Sequence, residues 1–170
     1  MLGIGGKELS EENAAQTAKA LNIIQPDFIR VHATGIKLES KLGEFVRDGS
    51  FTLQSEEEIV IEQKLFLQQL HEMDSYYVNE HIVNLLLEVR GNLRTEKQEM
   101  LSTIDRFLTL PPDERLLFTV GRRLNIFFRL DDLKKPKLHH KAGESLQQIL
   151  SKNPHVDFAA LCNYVRQSQI

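Results

Sequence analysis

Three glycines stand close together at the start of the chain, in the stretch MLGIGG. Glycine has no Cβ atom, so its backbone amide can come close to a ring or a ribose of a bound molecule. Gly3, Gly5 and Gly6 are therefore candidates for a ligand-binding turn. The alternative is a tight turn that joins a strand to a helix and binds nothing.

Arg30 and His32 are two residues apart in the stretch DFIRVHAT. Aromatic and β-branched residues in near-alternation predict a short strand from Phe28 to Ala33. Because side chains alternate across a strand, Phe28, Arg30 and His32 share one face. If the strand belongs to a barrel, this face lines a cofactor or substrate site near the strand ends. If the strand lies at an edge, the same face points to solvent.

Two histidine-containing segments are weaker candidates. Glu80 and His81, with Asn84 one turn further on, have residue types suited to acid–base or metal chemistry. His139 and His140 lie in the basic stretch Lys134–Lys141, whose composition suits a phosphate or a metal. Neither segment has further ligands at a fixed spacing, so solvated surface positions are the favoured interpretation. No Ser-His-Asp or P-loop pattern is present.

Two further features are expected to be structural. Arg122 and Arg123 lie in a strongly periodic apolar segment, so one of them must face the buried stripe. It is expected to form an ion pair at the edge of the core, with Asp131, with Asp132 or with an acidic residue elsewhere. Cys162 is the one cysteine of the chain, which excludes an internal disulfide and a CxxC metal site. On an apolar helical face it is expected to be a small buried side chain.

The elements that position these residues change along the chain. The chain is predicted to begin with a strand end before the glycines, followed by a helix that Ser10 caps and Pro26 ends. The strand Phe28–Ala33 comes next, and then a helix that Gly49 stops. This strand–helix–strand order predicts parallel strands. The first helix is expected to bury Ala14, Ala18 and Leu21, with Ile24 extending the stripe.

The rest of the chain is predicted to be mainly helical. Ser55 and three acidic residues begin a helix, Thr95 caps another, and Pro112 begins a third. The apolar run after Tyr76 fits either a strand or a helix, and a helix from about Asn84 to Val89 is favoured. The stretch 134–141 reads as a connector before two short helices. The buried helical faces are expected to carry Met100, Ile104, Phe107, Leu116, Val120, Leu124, Phe127, Leu146, Ile149, Leu150, Phe158, Leu161 and Val165.

Composition limits the class of protein. The chain has 170 residues, 41% of them hydrophobic and 26% charged, which is ordinary for a soluble globular domain with a real core. The net charge of −3 argues against wholesale nucleic-acid binding. No apolar run approaches the roughly 20 residues of a membrane span, and no signal segment is recognisable. A cytoplasmic location is the simplest expectation.

The motifs "GIGG", "PDFIRV" and "SEEE", taken in order, resemble the C-terminal half of radical S-adenosylmethionine (radical SAM) enzymes. The resemblance extends over residues 2–133 and includes "NEHIVNLLLEVRGNL" and "VGRRLNIFFRLDDL", which look like the family's helical tail. It implies the last strands and helices of a partial (β/α) barrel in residues 1–54. Residues 55–170 would then form a helical C-terminal region.

The resemblance also implies a function for the whole protein, which would reductively cleave S-adenosylmethionine to a radical that modifies an unknown substrate. The expected cofactors are S-adenosylmethionine and a [4Fe–4S] cluster held by a CxxxCxxC motif. This chain lacks that motif, so it is expected to bind neither alone, to be inactive alone and to carry no catalytic residue. Gly3, Gly5, Gly6, Arg30 and His32 are the implied cofactor-binding residues, although Gly6 stands where the family often has a glutamate.

Partners follow from the same resemblance. The expected partner is the missing N-terminal half, or a second copy paired through exposed strand edges. A membrane and a nucleic acid are not expected. The alternative function belongs to another class, a non-catalytic helical module that binds a protein partner.

Overall fold

A computed structural model describes residues 1–37 and 39–168 of the chain. They form a small three-stranded sheet among a larger number of helices, which confirms the predicted change from α/β to mainly helical structure. The helices are α1 (Ser10–Ile24), α2 (Lys41–Arg47), α3 (Glu56–Gln69), α4 (Lys97–Leu108), α5 (Pro112–Arg123), α6 (Pro136–Lys152) and α7 (Phe158–Ser168). The strands are β1 (Phe28–Arg30), β2 (Tyr76–Val78) and β3 (Gly91–Asn92), and a 3₁₀ helix covers Leu130–Lys134.

Strand segments that are joined through helices pair in parallel. β1 pairs in parallel with β2, and β2 pairs antiparallel with β3. Before β1, Leu2 forms a single parallel bridge to Ala33: its N–H donates to the His32 carbonyl at 2.9 Å, and its carbonyl accepts from the Thr34 N–H at 2.8 Å. The parallel arrangement predicted for the first two strand segments is confirmed, although β1 is shorter than the predicted strand.

One face of the sheet is covered and the other is open. Ile29 and Tyr77 are buried in a core shared with α1 and α3, which pack against each other. On the opposite face Phe28 is 70% exposed, Arg30 is exposed and Tyr76 is 41% exposed. The predicted alternation of β1 is therefore confirmed, and its polar residues lie on the open face.

Local signals fix several helix ends as expected. Ser55 forms a capping box with Glu58, in which each side chain accepts the other residue's backbone N–H. Pro112 lies in the first turn of α5, where its missing N–H costs nothing. Gly49 follows α2 with φ +80, a left-handed conformation that favours glycine.

Four predictions about helices were wrong. Residues 84–89 form turns rather than a helix. Asn79 binds the Leu86 carbonyl, which a helix would pair internally, and the Asn84 side chain binds the Val31 carbonyl just after β1.

Two predicted helix caps are absent, and one predicted connector is a helix. Ser10 does not cap α1, which begins at Ser10 itself without a side-chain cap. Thr95 does not cap α4, which begins at Lys97 without a side-chain cap. The expected connector at 134–141 is largely helical, since α6 begins at Pro136 and continues for 17 residues.

Two predicted stripes end earlier than expected. α5 stops at Arg123 because Asn125 is left-handed, with φ 56, and the Ile126 N–H donates back to the Gly121 carbonyl. Leu124 therefore leaves the buried stripe and is 42% exposed. Ile24, the expected extension of the α1 stripe, is 66% exposed, because the chain turns away at the left-handed Gln25.

The sheet crosses the boundary expected between residues 54 and 55, since β2 follows that boundary and pairs with β1. Both regions also contribute to one hydrophobic core. Among residues 1–37 and 39–168, no helix combines the length and the apolar character that crossing a membrane requires.

Candidate functional site

Three parallel segments end at the same edge of the sheet. We call this edge, formed by Gly3–Gly6, His32–Thr34 and Asn79–Asn84, the carboxyl edge. Ligands of parallel α/β sheets bind beyond the carboxyl ends of the strands. The carboxyl edge is therefore the first place to examine for a site.

The glycine turn is packed against its own chain. The Gly3 N–H donates to both carboxylate oxygens of buried Glu62, at 3.3 and 3.1 Å, and Asn13 Nδ2 donates to the same carboxylate at 2.6 Å. Gly3 and Gly6 are left-handed, with φ 80 and 64, which explains why glycine is needed there. Gly5 is not left-handed. A Cβ on Gly5 would lie 2.9 Å from the Leu9 carbonyl oxygen, so crowding explains this glycine.

The space beside the other two glycines is also filled by the protein. A Cβ on Gly3 would meet Gln54 Oε1 at 3.4 Å, and one on Gly6 would meet the Thr52 carbonyl oxygen at 3.0 Å. The close approach that these glycines permit is thus used by neighbouring segments of the chain. Their role in binding adenosine stays a prediction.

Arg30 and His32 lie on the open face of the sheet, as the strand pattern predicted. Arg30 is exposed, and His32 is half-buried at the carboxyl edge. The His32 ring stacks on the His81 ring, with centroids 4.1 Å apart and planes inclined by 31°. Burial, the nearby His81 and Arg30 lower the pKa of His32 below its ordinary value. The structure therefore joins two residues that the sequence treated as separate candidates.

Asn84 fastens the turn after β2 to the end of β1. Its Oδ1 accepts from the Ala33 N–H at 2.7 Å, and its Nδ2 donates to the Val31 carbonyl at 2.9 Å. The same Nδ2 donates to Asn79 Oδ1 at 2.7 Å, and Asn79 Nδ2 donates to the Leu86 carbonyl at 2.6 Å. Both asparagines are buried. Asn84 is thus a structural residue and not part of a Glu80–His81–Asn84 acid–base set.

Two adjacent arginines of α5 support the same turn from the core. Arg122 Nη2 donates to the carbonyls of Ile82 and Asn84, at 2.9 and 3.2 Å. Arg123 Nη2 donates to the Val83 carbonyl at 2.9 Å. Three successive carbonyls therefore receive guanidinium donors, which fixes the backbone of the carboxyl edge.

One buried carboxylate, that of Glu56, lies among these arginines. Arg123 binds Glu56 at two points, Nε to Oε1 at 2.9 Å and Nη2 to Oε2 at 2.6 Å. Arg166 of α7 places Nη1 3.4 Å from Glu56 Oε1 and donates from Nη2 to the Gln54 carbonyl at 3.3 Å. Burial and the Arg123 charge lower the pKa of Arg122 to about 10. We call Glu56, Arg122, Arg123 and Arg166 the arginine cluster.

The arginine cluster was only partly predictable. Both Arg122 and Arg123 are buried, rather than one of them, and neither pairs with Asp131 or Asp132. Asp131 binds Arg106 and Lys134, and Asp132 binds Lys135 and caps the 3₁₀ helix. The sequence also allowed an acidic partner elsewhere in the chain, and the partner of Arg123 is Glu56. Arg166 had no recognisable signal in the sequence.

The remaining candidates lie apart. Glu80 contacts Arg90 at 3.4 Å, away from any third ligand. His139 and His140 lie on α6, at 3.3 Å from Glu114 and Glu144 respectively. In the described part of the chain, no three His, Cys, Asp or Glu side chains are placed to hold a metal ion.

Comparison with models of protein families, with curated proteins and with solved structures gives no match for this chain. The functional assignment therefore depends on the carboxyl edge and the sequence motifs.

Proposed function

We propose that this chain is the C-terminal part of a radical SAM enzyme and forms the last strands of a partial (β/α) barrel. The observation that carries the proposal is the order of parallel segments at Leu2, β1 and β2, joined through α1 and α3. Consecutive parallel strands with helical crossovers are the repeating unit of such barrels. The helices cover one sheet face, and the open face would become the barrel interior.

A groove beside β1 supports the same arrangement. It has a volume of about 230 Å³ and is lined by Met1, Phe28, Arg30, Asn13 and Glu62, among others. Leu2 pairs with Ala33 in parallel, so residues preceding Met1 in a longer protein would run along Phe28–Arg30, into this groove. A further strand would thereby extend the one bridge seen at Leu2.

The residues present suit the cofactors only in part. A [4Fe–4S] cluster of this family needs three thiolates, and the lone Cys162 is buried at 3% exposure, so the thiolates would come from outside these residues. The glycine turn is occupied by Glu62 and Gln54. Arg30 and His32, on the open face, are the two predicted residues placed to line an interior ligand.

The experiment begins with the coding sequence upstream of Met1, in which an open frame with CxxxCxxC is expected. The full-length product, reconstituted anaerobically, should form 5′-deoxyadenosine from S-adenosylmethionine. Arg30→Ala should lower that rate, whereas Lys19→Ala, on the exposed surface of α1, should leave it unchanged. A stop codon directly upstream, or a full-length protein without cleavage activity, would overturn the proposal.

The second candidate, a protein-interaction module, is favoured by one observation. Phe28 and Tyr76 are exposed on the open sheet face and contact each other, with ring centroids 6.4 Å apart. An exposed aromatic pair of this kind is common at protein interfaces. If the upstream sequence encodes no barrel half, this face becomes the place to seek a partner.

A further inference from the structure

A hydrogen bond to the His81 ring restricts where a proton can bind in the stacked His32–His81 pair. The Val83 N–H points at His81 Nδ1, with a donor–acceptor distance of 3.4 Å. An imidazole nitrogen that accepts a hydrogen bond carries no proton, and a charged imidazole has no accepting nitrogen. A proton on Nδ1 would therefore face the Val83 N–H, donor against donor.

The charges around the pair also disfavour a proton. Arg30 lies on the same strand face as His32 and brings a positive charge close to the pair. Behind the turn, Arg122 and Arg123 donate to the Ile82 and Val83 carbonyls.

The acidic groups near the turn are already engaged. Glu80 contacts Arg90 at 3.4 Å, and its side chain is 51% exposed. Glu56 is bound by Arg123 within the core. Both carboxylates therefore already have positively charged partners of their own.

We propose that the stacked His32 and His81 rings form a proton-operated switch at the carboxyl edge. Uptake of a proton at His81 Nδ1 breaks the bond from the Val83 N–H. The two rings then separate, and His81 turns into solvent. The His32 ring then becomes accessible on the open sheet face. Arg122 and Arg123 keep the carbonyls of residues 82–84 in place, so the change is confined to the His81 side chain and the Val83 N–H that it releases.

The direction of the pH effect follows from the Val83 bond, because only an unprotonated His81 Nδ1 can accept it. The lowered pKa of His32 has the same sign. The stacked state binds fewer protons than the separated state, so it is stable above the ordinary histidine pKa of about 6.5 and is lost as the pH falls below that value. This inference does not depend on the proposed function.

The test is an NMR titration of the histidine ring signals of the whole chain between pH 8 and 4.5. His32→Gln and His81→Gln variants assign the two signals. His32 is expected to titrate below the ordinary histidine pKa of about 6.5. In His81→Gln, which removes the stacked ring, the titration of His32 should move toward that ordinary value.

Amide exchange of Val83 gives a second readout that needs no variant. Its protection factor should fall by roughly tenfold between about pH 7 and pH 5, because the separated state takes up a proton at His81 Nδ1. Ala33, whose N–H is held by Asn84, should keep its protection. Unchanged protection of Val83 at pH 5, or a titration of His32 that is the same with and without the His81 ring, would overturn the proposal.

Discussion

Arg123 and Glu56 form a two-point ion pair in the core, although 67 positions separate them along the chain. The side chains are 2% and 6% exposed. Arg166 shares the same carboxylate, and Arg122 lies next to Arg123. A buried carboxylate with several guanidinium partners cannot be removed alone without leaving positive charge uncompensated in the core.

Glu56→Gln is expected to lower the free energy of unfolding by about 3–5 kcal/mol, because it leaves buried guanidinium groups without a counter-charge. Urea denaturation followed by circular dichroism measures the change. The matched control is Glu57→Gln, whose partner Arg115 forms an ion pair near the surface at 3.0 Å. That variant should lose less than about 1 kcal/mol. Equal losses in the two variants would contradict the importance of the arginine cluster.

Asn84→Ala is expected to cost about 2–4 kcal/mol, because it leaves the Ala33 N–H and the Val31 carbonyl unpaired inside the protein. Hydrogen exchange should show the Ala33 amide losing protection first. Asn153→Ala, at an exposed position after α6, serves as control and should change stability by less than about 0.5 kcal/mol. If Ala33 stays protected in Asn84→Ala, its amide has another acceptor.

Replacing each of two helical glycines by alanine should change the stability of the protein in opposite directions. A Cβ on Gly121 would lie 2.4 Å from Phe127 Cδ2, so Gly121→Ala must displace a buried ring. Overpacking of this kind costs about 1–3 kcal/mol. Gly143 has open space around it within α6, so Gly143→Ala should stabilise the protein by about 0.5–1 kcal/mol. Thermal unfolding of both variants measures the two changes in stability. A loss of stability in Gly143→Ala would show that the space around each glycine does not decide the effect of alanine.

Cys162 is expected to be unreactive until the protein unfolds. Burial, with a further contribution from Glu56, raises the pKa of its thiol to about 12. Because the folded state holds this proton more tightly, the associated stability is present below the unfolded pKa of about 8.5 and declines as the pH rises above it. At pH 8, alkylation by iodoacetamide should be roughly 10³-fold slower in the native protein than in urea, since the thiolate fraction differs by that order. Mass spectrometry measures the rate of alkylation. Rapid alkylation of the native protein would contradict the burial of α7 against α5.

The sequence allowed prediction of features that depend on neighbouring residues. The Ser55–Glu58 capping box, the stop at Gly49 and the two faces of β1 each follow from a short pattern. The helix predicted from about Asn84 to Val89 was wrong because an apolar run has no period that separates a helix from buried turns. The conformation of that segment depends on the hydrogen bond from the Ala33 N–H, just after β1, to Asn84, 51 positions later in the chain. The pairing of His32 with His81 likewise depends on strand register, which no local pattern encodes.

The shared carboxylate of Glu56 has a consequence for the order in which the chain assembles. A ribosome delivers α3 and α5 before α7, so Arg123 can reach Glu56 before Arg166 has been synthesised. The first encounter neutralises the carboxylate, and the later arginine joins a pair that already exists. We therefore expect the C-terminal helix to dock last, both during synthesis and on refolding. Pulse-labelling hydrogen exchange should show amides of α7 becoming protected after those of α3 and α5, and simultaneous protection would show that the helices dock as one unit.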